Sequence, residues 1–273
     1  RHTVISLIES GMFTDLVRSK VHLAIVCPMA NEVESAEAFV NQVLQQCQGF
    51  KSVTLFTVLD RVSTDGTLDI LLNLAQRDQR LTVVWAPENR CVVDAYVRGY
   101  KEALYAGCDW ILEIDAGFSH QPEDIPQFFE KMTQGYDCVF GSRFCSGGKV
   151  TDSSLKRRLI SQCGTFMTNT LLGSRLKDMT SGFEIFTADT LRCLLDKGLR
   201  SRFHFFQTEI RVYCHRFQIV EVPIQYKAAS PSVSSKALID SLRVLGSLVI
   251  DRFLNRSRRA YRAVRQHRPE KLF

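Results

Sequence analysis

Apolar positions along this chain follow two periods in turn. Residues 21–28 (VHLAIVCP), 53–59 (VTLFTVL), 81–85 and 110–114 are apolar runs of strand length, each closed by Pro or a polar residue. Between the first two runs, Ala36, Phe39, Val40, Val43, Leu44 and Cys47 recur at helical spacing. Leu68, Leu71, Leu72 and Ala75 do so after the second. A third helix is predicted from the loop Pro87–Cys91 to about Ala106. A fourth is opened by Pro122 and carries Ile125, Phe128, Phe129 and Met132. Strict alternation of this kind predicts an α/β fold, a mostly parallel Rossmann-like sheet with helices on both faces.

Past Cys138–Phe140, which reads as another strand, the alternation loosens. A loop at Gly147-Gly148 precedes the basic helix start Lys156-Arg157-Arg158. Residues 182–186 and 219–224 read as strands, separated by helices near 188–196 and 204–216. The polar stretch 229–235 (ASPSVSS) resembles a hinge. Beyond it, Leu238, Leu242, Leu245, Leu248, Val249 and Phe253 repeat at helical spacing, interrupted by Asp240, Arg243 and Asp251. That falls short of the roughly 20 apolar residues of a membrane span. The segment is an amphipathic helix, either lying on a membrane or docked on the domain with a solvated basic end.

The chain has 273 residues, 45% of them hydrophobic, enough to bury a full core. Its net charge of +6 is uneven. Eight Lys/Arg against the single acid Glu270 between Arg252 and Lys271 give a local +7, so everything else sums to −1. A nearly neutral body argues against a nucleic-acid groove, and a basic end argues for an anionic surface as its partner. The nine cysteines show no CxxC spacing and fall mostly in apolar runs, so they read as reduced thiols in a cytoplasmic setting, not as a zinc site. Glu9 and Asp15 interrupt the first apolar run, which does not read as a signal peptide.

Polar groups gather where the strands end, and the carboxyl ends of parallel strands are where open α/β sheets bind ligands. Pro28-Met-Ala-Asn-Glu32 follows the first strand and Asp60-Arg-Val-Ser-Thr-Asp-Gly-Thr67 the second. Asn89-Arg90 with Asp94 follows the third, and Asp115 with Ser119 and His120 the fourth. Each group taken alone can be a local cap or turn. Their repetition after successive strands predicts one cleft.

The motifs PMANE (28–32), STDGT (63–67), EIDAGFSHQPED (113–124), VFGSRF (139–144), DMTSGFEIF (178–186), EVPIQY (221–226) and the Ser-Lys ending at Lys236 resemble, in order and spacing, the inverting family-two glycosyltransferases. Within these they are most similar to the polyprenyl-phosphate or dolichol-phosphate mannose synthase group. The resemblance implies a GT-A fold over 21–236, with an N-terminal helical segment at 1–20 and a basic amphipathic helix and tail at 237–273. It implies a donor that is a GDP- or UDP-hexose and an acceptor that is a lipid phosphate, reached by peripheral association with a membrane. Pro28, Ala30, Glu32 and Asp60 would then contact base and ribose, with Arg90 near the nucleotide. Asp115 and Ala116 would lie by the diphosphate and sugar. Arg143, with Arg157 or Arg158, would face the diphosphate or acceptor phosphate, as guanidinium forks do. Lys236 would supply charge in place of an Arg the family carries before its Ser-Lys.

Two departures bear on chemistry. The family holds Mg²⁺ or Mn²⁺ between two Asp flanking an Ala, but here the second is Gly117. Asp115 and Ser119, with phosphates and water, would hold such an ion. Otherwise Arg and Lys neutralise the leaving diphosphate without metal. Arg61 also stands where the family has a second Asp on the base side. The reaction implied is a single inverting displacement. An anionic lipid phosphate needs no strong base, whereas a hydroxyl of a glycan or protein would, with Asp178 and Glu209 as candidates. A relative that binds nucleotide sugar or a partner without turnover is the remaining alternative.

Overall fold

The computed structural model describes residues 11–151, 155–227 and 234–253. Strands β1 (His22–Pro28), β2 (Ser52–Leu59), β3 (Leu81–Trp85) and β4 (Trp110–Glu113) alternate with helices α1 (Ala36–Gln45), α2 (Thr67–Arg77) and α3 (Val92–Tyr105). After α4 (Ile125–Thr133) come β5 (Cys138–Ser142), β6 (Lys149–Thr151), α5 (Leu155–Leu172), β7 (Glu184–Thr187), α6 (Ala188–Lys197) and α7 (Phe206–Cys214). Strands β8 (Ile219–Pro223) and β9 (Gln225–Lys227) and helix α8 (Ser235–Phe253) complete the described chain. Seven strands form one sheet in the order β3-β2-β1-β4-β7-β5-β8, and β6 pairs with β9 in a small parallel ribbon.

The predicted parallel sheet is present in the first half, where β3, β2, β1 and β4 are all parallel. The second half departs from simple alternation, because β7 inserts antiparallel between β4 and β5. The apolar face that each strand offers is met on both sides. One core layer joins Phe39, Val43, Leu71 and Phe128 from α1, α2 and α4. The other joins Tyr96, Tyr100, Leu191 and Ile210 from α3, α6 and α7. Helix α3 approaches the sheet so closely that a Cβ on Gly99 would sit 2.3 Å from Val26 Cγ1. That contact fixes the height of Tyr96 and Tyr100, both of which reach the site.

Chain order reverses about β1 and β4, so the crevice beyond their carboxyl ends is the switch point where such sheets take ligands. The segments after β1, β2, β3 and β4 all emerge at this edge.

Helix α8 is docked on the domain along one side and open along the other. Val244, Leu245 and Leu248 are buried in the domain, while Leu238, Ile239, Leu242 and Ile250 are exposed. No helix among the described residues is long and apolar enough to cross a membrane. Most of the basic tail lies outside the described residues.

Candidate active site

The loops after β1 and β2 are sewn together by Asn31. This residue has a left-handed backbone (φ 59°), tolerable for Asn but uncommon for a side chain. Its amide donates to the Val62 carbonyl (3.0 Å) and accepts from Thr64 N–H (2.9 Å). Asp65 ties the same loops, accepting from Val33 N–H (3.0 Å) and from the Thr67 hydroxyl (2.6 Å), which lowers its pKa. The Thr67 hydroxyl in turn accepts from Glu32 N–H (2.8 Å), placing Glu32 at the cleft floor. Polar groups expected to meet a base or ribose are thus largely engaged with each other. Asp60 is half-exposed at the mouth and accepts from Val62 N–H (2.9 Å), with Pro28 and exposed Ala30 beside it on the β1 loop.

Arg90 is exposed after β3, its N–H given to Asp94 (2.8 Å). Asp94, in the first turn of α3, thus ties down the loop that leads into the helix.

The centre of the candidate site is Asp115, two residues past the buried end of β4. Tyr96 donates its hydroxyl to Oδ1, and His120 Nδ1 stands 3.4 Å from Oδ2. The carboxylate is 41% exposed while His120 is 1% exposed, so one is offered to the cleft and the other supports it from within. Burial pushes the His120 imidazolium down to about 4, leaving the ring neutral. The turn that follows is strained, with Gly117 at φ 72° and Phe118 at φ 58°. Ala116 is half-buried on this turn. Ser119 is buried, and its hydroxyl points back to the Ala116 carbonyl (3.5 Å). The expectation of Ser119 as a metal ligand beside Asp115 is not met by this arrangement.

Arg143 and Asp178 find each other. The guanidinium grips both carboxylate oxygens (Nε–Oδ2 2.7 Å, Nη2–Oδ1 2.8 Å), and Arg143 N–H adds a third bond to Asp178 (3.0 Å). Burial opposes ionisation of Asp178, but the Arg143 charge outweighs it and holds the carboxyl down at about 2. A carboxylate so held does not serve as a general base, and a guanidinium so neutralised is a weak clamp for diphosphate. Two residues read separately from sequence are thus joined in one buried ion pair. The pair is carried by the closing motif, for Glu221 accepts the N–H groups of Lys177 (2.8 Å) and Asp178 (2.9 Å).

Glu209 is also corrected. It is fully buried and accepts from the N–H groups of Arg200 and Ser201 and from the Tyr213 hydroxyl (2.8 Å), pinning the loop before α7. Lys236 is exposed in the first turn of α8, and the side chains of Arg157 and Arg158 lie outside the described residues. No described contact joins these three to the Asp115 group.

A buried polar cluster beneath Asp115 escaped sequence reading. Glu113 on β4 faces Glu184 on β7 across the antiparallel register, and both are completely buried. Tyr100 and Gln207 donate to Glu113, and Arg211 pairs with Glu184 (2.7 Å). A Cβ on Gly182 would touch both Gln207 Nε2 (3.1 Å) and Asp115 Oδ2 (3.2 Å), so this cluster adjoins the site. One guanidinium cannot balance two buried carboxylates, and the pair must hold a proton. Burial, and then Glu184, push Glu113 well above the usual carboxyl range; burial raises Glu184 to about 7 against Arg211. The one signal in sequence was a charge at Glu113 and at Glu184 inside otherwise apolar strands.

Linkage fixes the sign of the consequence. Between the unfolded carboxyl value near ~4.3 and about 7, the native state keeps a proton the unfolded chain has released. Stability is therefore expected to fall as pH rises through that window. Urea midpoints measured across it should decline. Glu113→Gln, which leaves partners for Tyr100 and Gln207, should flatten the slope, and an unchanged slope would refute the shared proton.

The fold and sequence have known counterparts. A family model described as glycosyl transferase family 2 matches residues 24–195. The chain belongs to glycosyl transferase family 2. The undecaprenyl-phosphate mannosyltransferase of Micrococcus luteus is 32% identical over 203 residues, spanning 74% of this chain and 82% of that protein. The polyprenol monophosphomannose synthase of Mycolicibacterium smegmatis is 28% identical over 221 residues, 80% and 82% of the respective chains. Among solved structures, glucosyl-3-phosphoglycerate synthase from Mycobacterium tuberculosis bound to Mn²⁺, UDP and phosphoglyceric acid superposes with a TM-score of 0.59. It is 15% identical, over 89% of this chain and 81% of that one. Its UDP complex gives 0.61 at 14% identity, over 88% and 82%. This likeness carries the GT-A fold expected from sequence. Family membership makes the chain a glycosyltransferase, and the Asp115 crevice lies at the switch point where open α/β sheets take ligands.

Proposed function

We propose that this enzyme transfers a hexosyl group, mannose or glucose, from a GDP- or UDP-sugar to a polyprenyl phosphate, with inversion, at the surface of a membrane. The observation that carries the acceptor is the open apolar face of α5. Leu159, Ile160, Phe166, Met167 and Leu171 are exposed along it, Phe166 by 74%. The opposite, buried side of α5 packs beside the site, where Thr165 accepts the Met179 N–H (3.1 Å) next to Asp178. Helix α8 packs on α5 and leaves its own apolar residues open. Basic residues at 156–158 and in the tail suit an anionic lipid surface. The names of the two bacterial relatives support the same class of acceptor.

In the reaction, an acceptor phosphate oxygen attacks the anomeric carbon as the bond to the donor diphosphate breaks, releasing a nucleoside diphosphate. The nucleophile is already anionic, so no side chain need remove a proton. That suits a site whose candidate bases, Asp178 and Glu209, are both bound within the fold. A divalent cation, if bound, would neutralise the leaving diphosphate. Among the described residues no cluster of three His, Cys, Asp or Glu is arranged to hold one, so two carboxylates, phosphate oxygens and water would be its ligands.

The test is a panel of nucleotide sugars with and without polyprenyl phosphate. Nucleoside diphosphate should be released with one donor and only when the lipid is present. Release without any acceptor requirement would refute the lipid reading. Leu159→Ser with Phe166→Ser is expected to weaken binding to vesicles containing anionic lipid by about 10-fold or more. Transfer to a short, soluble polyprenyl phosphate should persist.

A further inference from the structure

Gly117 stands where a second carboxylate would complete a metal seat with Asp115, yet the space above it is filled. A Cβ built on Gly117 would lie 2.9 Å from both carboxylate oxygens of Glu32. Glu32 is held there from two sides, by the Thr67 hydroxyl on its N–H and by the Ser35 hydroxyl on Oε2 (2.6 Å). Its carboxylate therefore belongs to the turn that carries Asp115.

We propose that Glu32 replaces the missing second carboxylate, so that Glu32 and Asp115 together seat a divalent cation against the donor diphosphate. This inference rests on the glycosyltransferase reading and gives Glu32 a role other than binding base or ribose. Two observations carry it beyond the proximity of two acids. The first is charge. Two carboxylates face the cleft into which an anionic diphosphate must enter, and the buried guanidinium nearby, Arg143, is neutralised by Asp178. A cation reverses the sign of that field. The second is His120, almost completely buried, with neither ring nitrogen hydrogen-bonded and Nδ1 directed at Asp115 Oδ2. With Tyr96 on the other oxygen, the Asp115 carboxylate is fixed in place as a metal-binding carboxylate is by its supporting shell.

The experiment titrates Mn²⁺ into the full chain with and without GDP or UDP, reading free Mn²⁺ by electron paramagnetic resonance. Nucleotide affinity is measured separately in EDTA. The wild type should bind one Mn²⁺ tightly only with nucleoside diphosphate present. Glu32→Gln, which keeps the size of the side chain and an acceptor for Ser35, should weaken Mn²⁺ binding by about 10-fold or more, as should Asp115→Asn. Gly117→Asp placed in a Glu32→Ala background, where the space above residue 117 is vacated, should recover most of the loss, since Asp is among the few side chains that adopt the left-handed backbone. Wild-type Mn²⁺ affinity in Glu32→Gln alone would overturn the proposal. Nucleoside diphosphate binding that is equally tight in EDTA would overturn it too, leaving neutralisation to arginines and the donor site intact. Absence of nucleotide binding under every condition would instead overturn the donor-site reading itself.

Discussion

Asp115→Asn is expected to lower hexosyl transfer by about 10³-fold while leaving the fold intact, a loss equal to ~4 kcal/mol of transition-state stabilisation. The reasoning starts from the side chain's two surroundings. Inward, Asp115 accepts from Tyr96 and meets neutral His120. Outward, it is the carboxylate that the β4 strand end delivers to the switch-point crevice. Asn keeps an acceptor for buried Tyr96 and removes only the charge. Asp115→Ala also strands the Tyr96 hydroxyl and should add about 1–3 kcal/mol of instability. Comparing the two separates chemistry from folding. Thermal unfolding should hardly move for Asn and should fall for Ala, while transfer collapses in both. Near wild-type turnover by Asp115→Asn would remove this residue from the centre of the reaction, and with it the main argument for catalysis in this crevice.

The cleft was legible in sequence because its determinants are local. Apolar runs of strand length, polar residues at their ends and helical spacing between them need no partner to be recognised, and β1 to β4 follow that grammar. What lay beyond sequence depends on pairing across distance. The antiparallel insertion of β7 puts Glu184 opposite Glu113, and no periodicity tells which strand a short apolar segment will join. Arg211 and Gln207 then complete a cluster from a helix 94 positions beyond Glu113. Ser119 was read as a ligand from its spacing to Asp115, but the left-handed Gly117 and Phe118 turn the chain and bury its hydroxyl. Motif matching singled out Asp178, Arg143 and the motif that carries Glu221 one by one, and the structure interlocks them.

That interlock supports the second large effect. Arg143→Ala and Asp178→Ala are each expected to destabilise the protein by about 3–5 kcal/mol, because either change abandons a buried charge. For a domain of this size that is a drop in melting temperature on the order of 10 °C. The double variant should lose less than the sum of the two, a coupling of up to about 3 kcal/mol. The pH dependence has the opposite sign to that of the Glu113 cluster. Asp178 is held at about 2, below the ordinary ~3.9, so the pair's contribution is complete above that ordinary value and disappears as pH falls through the native one. Arg143→Lys decides between scaffold and clamp, since an ammonium keeps the charge but not the two-pronged grip on Asp178. A scaffold role predicts a lower melting temperature, with the donor KM little changed at temperatures where the variant stays folded. An unaltered melting temperature with a raised donor KM would return Arg143 to the diphosphate.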